Sequence, residues 1–325
     1  MRFNAVFLDV NSLDMNDLDL NSLNQVFSNL TTYPATDHEQ DTITRLQGAQ
    51  VAITNKVQIS AKALEQLPEL KLILISATGT NNVDLEAAKK HGVVVCNCQG
   101  YGTTSVAQHT LALIFALSTS LTVYDRDVRL GRWQEAKQFC LLDYPIVELT
   151  GKTLGILGYG ELGREVARLA EALGMKIVVG QLPDRPIKEN RLSFNDLLEQ
   201  ADIISLHCPL TETTKNLIDA KALERMKPTA FLINCARGGI VNEADLADAL
   251  KNGVIAGAAV DVLSVEPPKA GNILLDYLDE PTTHNLIITP HSAWGSVQAR
   301  QRIVKQLTEN AQSFLNGQTI RQVNA

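Results

Sequence analysis

TLGILGYGELGREVARLAEALGMKIVVG, residues 153–180, is the stretch whose reading decides the fold. An apolar run ending at Leu157 predicts a buried strand. From Glu161 the apolar residues recur at helical spacing, and KIVVG predicts a second strand. Between strand and helix stand Gly158, Gly160 and Gly163 in the spacing G-x-G-x-x-G. In that context Gly158 permits the tight turn, Gly160 lets backbone approach a pyrophosphate, and Gly163 lets the helix pack close to the strand. The helix start adds free amides and partial positive charge. The loop Gly158, Tyr159, Gly160, Glu161, Leu162 and Gly163 is therefore read as a dinucleotide cradle.

An acidic residue is expected at the end of the second strand, where it would accept both ribose hydroxyls and select NAD. This chain has Gln181 there. An amide can still bond a ribose but does not repel a phosphate. Arg185, four residues on, either reaches the adenosine edge or is a solvated loop cation. Both NAD and NADP therefore stay open, with weak discrimination expected.

Outward from this unit, apolar β-branched runs alternate with amphipathic helical runs. AVFLDV, QVAITN, LKLILISAT and GVVVCN are strand candidates in the first part; DIISLHC, AFLINCA, GAAVDV and LIITPH follow the glycine loop. The final run, SVQARQRIVKQLTENAQSFLNG, predicts a helix that can rejoin the first domain. The expected architecture is α/β, with two doubly wound parallel-sheet domains. One is a Rossmann cofactor domain over 101–293; the other is a flavodoxin-like, discontinuous substrate domain over 1–100 and 294–325.

The chain has 325 residues and a net charge of −7, which offers a polyanion no basic surface and argues against nucleic acid as a partner. No window approaches the roughly 20 apolar residues of a membrane span, and the N-terminal apolar run is too short for a signal peptide. A cytoplasmic protein is expected. The five cysteines form no CxxC pair, and no cluster at ligand spacing accompanies His207, so no metal is expected and His207 is read as structural.

Three charged or titratable residues close late strands: Arg237 in NCARGGIV, Glu266 in DVLSVEPP and His291 in ITPHSAWG. Strand C-termini are where ligands sit in open α/β sheets. The order of G-x-G-x-x-G, LHCPLTETTKNLI, INCARGGIVNEADL, AVDVLSVEPP and TPHSAW resembles the NAD(P)-dependent D-2-hydroxyacid dehydrogenases. GYGTTSVAQHTLAL and the ITNK loop are most similar to the glycerate dehydrogenase, or hydroxypyruvate reductase, branch of that family. The resemblance covers essentially the whole chain.

It implies an oxidoreductase interconverting a small 2-keto acid (hydroxypyruvate, glyoxylate) and its D-2-hydroxy acid (glycerate, glycolate) by hydride transfer with NAD(P)H. Arg237 would hold the carboxylate and carbonyl and favour charge on the alkoxide. His291 would move the proton, and Glu266 would orient the ring and favour its charged form. Further implied cofactor contacts are Thr104, Cys208, Pro209, Thr214, Cys235 and Ala236, with Asp261 receiving the nicotinamide carboxamide. Implied substrate contacts are Asn55, Lys56, Thr78 and Gly79 beside Arg237 and His291. The family also implies a homodimer through the 106–121 helix, whose run from Val106 to Leu121 is apolar around much of its surface. With the sequence ending at Ala325, no regulatory domain of the kind many phosphoglycerate dehydrogenases carry is expected. Phosphoglycerate dehydrogenase and a dinucleotide-sensing corepressor-like module are the rival readings.

Overall fold

The apolar runs of the first hundred residues form β1 (Asn4–Phe7), β2 (Asn29–Thr32), β3 (Val51–Thr54), β4 (Leu72–Ile75) and β5 (Val94–Cys96). They pair in parallel in the order β2-β1-β3-β4-β5, a flavodoxin-like order. VAIT and LILI are buried at every position, as central parallel strands covered on both faces must be. The connections carry α1 (Asn21–Asn24), α2 (Glu39–Leu46), α3 (Ala61–Glu65) and α4 (Leu85–Lys90). Ser60 and Asp84 cap the last two by accepting the N–H of Ala63 and Ala87. This computed structural model describes residues 3–280 and 285–325.

The chain divides into two compact units, residues 1–102 with 295–325, and residues 103–294. The second unit opens with α5 (Thr103–Ser118) and α6 (Leu121–Arg129). Then come β6 (Thr153–Leu157), α7 (Glu161–Ala172), β7 (Lys176–Gly180), α8 (Phe194–Gln200), β8 (Ile203–Leu206) and α9 (Ala220–Arg225). It closes with β9 (Phe231–Asn234), α10 (Glu243–Lys251), β10 (Gly257–Val260), α11 (Ile273–Leu278) and β11 (Leu286–Ile288). The parallel order is β11-β10-β9-β8-β6-β7. The outer strand usual beyond β7 is reduced to one parallel bridge, Gly180 to Leu192.

Strand alternation divides the core of this unit into two layers. Leu157, Ile204, Leu232 and Ala258 face one cluster; Ile156, Ile203, Ile233 and Ala259 face the other, against α5 and α7. The chain then returns to the first unit as α12 (Val297–Leu315), which packs on α1 and β4 and buries Ala299, Ile303, Val304, Leu307 and Ala311. Ser296 caps α12.

The apolar run 106–121 is not one helix. α5 stops at Ser118, and the left-handed Ser120 (φ +52°) turns the chain by 62° into α6. Among the described residues no single helix is long and apolar enough to cross a membrane.

Candidate active site

The C-terminal ends of β9 and β10 carry the charged residues. Asn234, the buried last residue of β9, accepts the Ala236 N–H through Oδ1 (3.1 Å) and donates Nδ2 to the Arg237 carbonyl (3.0 Å). That bracket folds the chain into a turn presenting Arg237 to solvent, where its Nη1 donates to the Ala236 carbonyl at 2.7 Å. At Gly238 a Cβ would stand 1.8 Å from the Leu263 carbonyl oxygen, so the two loops meet backbone on backbone. The Leu263 N–H donates to Glu266 Oε1 (2.8 Å), and Glu266 Oε2 lies 2.6 Å from His291 Nδ1. With Nδ1 held, Nε2 is the ring atom left to exchange a proton. The His291–Glu266 pair is about one-third exposed, open enough for a small molecule to reach.

His291 has φ +52°, rare for a residue with a Cβ. Its N–H donates to the carbonyls of Asp261 (2.8 Å) and Thr289 (2.9 Å). The Asp261 carboxylate is buried and accepts from the Thr289 hydroxyl (2.5 Å), the Ser292 N–H (3.0 Å) and the Ala293 N–H (3.0 Å). The sequence reading assigned it to the nicotinamide carboxamide; most of its acceptor capacity instead anchors the His291 loop, with one lone pair left on Oδ2.

β6 lies between β7 and β8, so the chain changes direction at the Gly158 loop, the position where open α/β sheets bind ligands. Gly158 has φ +100°, and a Cβ there would lie 2.5 Å from the His207 carbonyl carbon. A Cβ at Gly160 would meet open space, and among the described residues no side chain caps α7. Unspent amides, a positive helix end and room above the loop fit a dinucleotide pyrophosphate. Glu161 accepts from the Thr103 hydroxyl at 2.8 Å, tying the start of α5 to that of α7, while Thr104 is exposed. Leu162 lies in the first turn of α7, and the Tyr159 carbonyl accepts from Arg164.

At the end of β7 the structure differs from the sequence expectation in which arginine is engaged. Gln181 is buried, its N–H donates to the Leu192 carbonyl (2.9 Å), and its Oε1 accepts from Arg191 Nη1 (3.3 Å). Arg185 is exposed on the same loop and makes no side-chain hydrogen bond among the described residues. The bridge to Leu192 brings Arg191 back to the strand end, a return that four-residue proximity along the chain does not reveal.

Cys208, Cys235 and Ala236 are buried at strand ends, where burial pushes the thiols up to about 11 and about 12. The Thr214 hydroxyl donates to the Pro209 carbonyl (2.7 Å) and accepts from the Thr211 N–H (2.7 Å); it shapes this loop and is not free for a ligand. His207 bonds Ser205 through Nε2 (2.8 Å) and leaves Nδ1 buried without a partner among the described residues, and burial lowers its pKa to about 4. Among the described residues no three His, Cys, Asp or Glu side chains converge as metal ligands.

In the first unit, the Thr78 and Gly79 amides have no acceptor among the described residues, although the Thr78 hydroxyl donates to the Cys98 carbonyl (2.9 Å). Asn55 is buried and donates Nδ2 to the Ser12 carbonyl (3.3 Å), so its side chain is used internally. The buried Asp9 carboxylate accepts the N–H groups of both Asn55 and Lys56 (2.9 and 2.8 Å). Sequence reasoning missed Asp9 and Asn234. The signal was present: a polar residue closing an otherwise apolar strand in FLDV and LINCAR.

A family model, "D-isomer specific 2-hydroxyacid dehydrogenase, NAD binding domain", matches residues 111–293. This chain belongs to the D-isomer specific 2-hydroxyacid dehydrogenase family. It is 47% identical to a glycerate dehydrogenase of Methylorubrum extorquens over 90% of this chain and 91% of that one. It is 36% identical to a hydroxypyruvate reductase of Blautia hydrogenotrophica over 89% of each. Among solved structures, an acyclic imino acid reductase in complex with NADPH and D-Arg matches with a TM-score of 0.84 and 28% identity, over 98% of this chain and 99% of that one. The protein is an oxidoreductase that interconverts 2-keto and 2-hydroxy acids with a nicotinamide dinucleotide.

Proposed function

We propose that this dehydrogenase reduces hydroxypyruvate or glyoxylate to the D-2-hydroxy acid, and runs the reverse reaction, using either NADH or NADPH. The observation that carries the reading is the 2.6 Å pair of His291 Nδ1 with Glu266, which leaves Nε2 without a hydrogen-bond partner among the described residues and ready for a carbonyl oxygen. The bound cofactor supplies or takes the hydride. His291 Nε2 gives the alkoxide its proton during reduction and takes it back during oxidation. Glu266, bonded to Nδ1, fixes the ring tautomer and orientation. Arg237 holds the substrate carboxylate and offsets charge on the forming alkoxide. Within the first unit, the Thr78 and Gly79 amides are donors with no acceptor among the described residues, and the Lys56 N–H is held by Asp9. The loop Gly158–Gly163, Cys208, Pro209, Cys235, Ala236 and the free lone pair of Asp261 hold the cofactor.

Gln181 in place of an acid removes the like-charge clash with a 2′-phosphate, and Arg191, held on Gln181, adds a cation at that strand end. Arg185 remains a second cation on the same loop. We further propose a homodimer. Its apolar face lies on α6 and the following loop, where Leu121, Leu130, Trp133, Phe139, Leu142 and Ile146 are exposed. The five free cysteines fit the reducing cytoplasm.

Initial rates with hydroxypyruvate, glyoxylate, pyruvate and phosphohydroxypyruvate, each with NADH and NADPH, test the substrate and cofactor assignments. Turnover confined to phosphohydroxypyruvate would make the protein a phosphoglycerate dehydrogenase. Tight NADH binding without turnover of any acid would favour the corepressor-like reading.

A further inference from the structure

The loop carrying His291 is held from a second side. α5 runs beside it, and two residues one helical turn apart, Ser105 and His109, point at it. The Ser105 hydroxyl donates to the Ala293 carbonyl at 2.7 Å. His109 Nε2 lies 3.0 Å from Thr289 Oγ1 and 3.5 Å from Asp261 Oδ1. The direction of the His109 bond follows from proton counting. A threonine hydroxyl has one proton, and that of Thr289 goes to Asp261 Oδ1 at 2.5 Å. Thr289 Oγ1 can therefore only accept from the imidazole, so His109 Nε2 carries a proton and donates it.

We infer that His109 is a positioning residue for the acid-base histidine, acting through Thr289 and Asp261. The backbone of His291 explains why such an anchor is needed. A left-handed residue with a Cβ is disfavoured by roughly 1–2 kcal/mol, and φ +52° persists only where the surroundings fix it. Asp261 supplies that constraint through three donors and its own carbonyl. Thr289 links Asp261 to His109, and His109 is the helix-borne end of the chain of bonds. Without the imidazole donor, Thr289 keeps its bond to Asp261 but loses one of the two partners that fix its rotamer. The turn can then relax, and the His291 ring leaves its alignment with Glu266.

The inference rests on His291 being the acid-base group, so His291→Ala is assayed beside the other variants. In His109→Leu, kcat for hydroxypyruvate should fall by roughly tenfold, the scale of one hydrogen bond. KM, NADH affinity by fluorescence quenching and the thermal midpoint should change little. His109→Gln places an amide donor near the Nε2 position and should restore kcat to within about threefold of the parent; His109→Glu, an acceptor there, should not. In a Thr289→Val background, His109→Leu should cost less than about twofold more. Full additivity with Thr289→Val, no rescue by glutamine, or a parent-like kcat in His109→Leu would each overturn the inference. If His291→Ala itself keeps parental turnover, the acid-base reading fails, and this inference fails with it. Loss of kcat in His291→Ala alone, with His109→Leu unaffected, removes only the role of His109.

Discussion

At the scale of single residues, proton transfer and charge pairing set the expected outcomes. His291→Ala should lower turnover by roughly 100-fold or more, the usual scale for losing a general acid-base group. NADH affinity by fluorescence quenching should stay near the parent value, because no cofactor contact is assigned to the ring. Turnover within threefold of the parent would remove His291 from the proton step. At the ribose position, Arg191→Ala should weaken NADPH more than Arg185→Ala does, since Arg191 is already fixed on buried Gln181 while Arg185 must be ordered on binding. One charge-assisted bond is worth about 1.5–3 kcal/mol, or roughly 10- to 150-fold in Kd. Titration of both variants with NADPH and NADH decides between the two arginines, and equal losses for the two cofactors would place neither at the 2′-phosphate. His207 makes a stability prediction. Its pKa falls from 6.5 to about 4 on folding, so the unfolded chain binds the extra proton between those values. Stability is full above about pH 6.5 and is lost as pH falls toward 4, by about 2 kcal/mol at pH 5. Urea unfolding at pH 7 and pH 5 should show a shallower loss in His207→Asn than in the parent.

The second scale is that of turns and helices, where backbone proximity rather than side-chain chemistry decides. Gly238 joins the Arg237 turn to the loop carrying Glu266. Gly238→Ala would push its Cβ into the Leu263 carbonyl, which is backbone and cannot rotate away. Both loops must shift, so kcat and the KM for hydroxypyruvate should worsen together; a parent-like KM in soluble Gly238→Ala would show that the turn yields without moving Arg237. The break at Ser120 acts on the same scale. Beyond it, α6 and residues 130–146 carry most of the exposed apolar surface of this stretch, with Phe139 91% exposed, while Phe115 leaves part of it on α5. Phe139→Glu should therefore move the mass by light scattering from about 71 kDa, twice the 35.5 kDa chain, toward the monomer. A parent that already scatters as 35.5 kDa at assay concentration would refute the dimer.

For the whole molecule, the asymmetry of the two units makes the prediction. Residues 103–294 form one continuous stretch with both core layers complete within it. The first unit depends on α12 from the far end of the chain, whose buried face covers α1 and β4. A chain truncated after Trp294 should keep NADH binding by the second unit while losing the tertiary near-UV signal of the first. Loss of NADH binding together with that signal would mean that the second unit does not fold independently.

Much of this protein was legible in the sequence because its signals are local. Strand, glycine turn and helix occupy adjacent residues, and the alternation of apolar runs needs only the period of 2 or 3.6 to be read. Arg237, Glu266 and His291 could be picked out because each follows an apolar strand within a few residues, and the family pattern gave them roles. What tertiary structure decided is what depends on residues far apart in the chain. The Gln181–Arg191 bond exists because a loop returns to bridge Leu192 to Gly180. Asp9 meets Asn55 and Lys56 only because β1 and β3 are neighbours in the sheet. His109, 152 residues before Asp261, reaches it only because α5 packs against β10. Composition and periodicity report which face of an element is buried; which two buried faces meet, and therefore which polar groups satisfy each other, is fixed by packing of the folded chain.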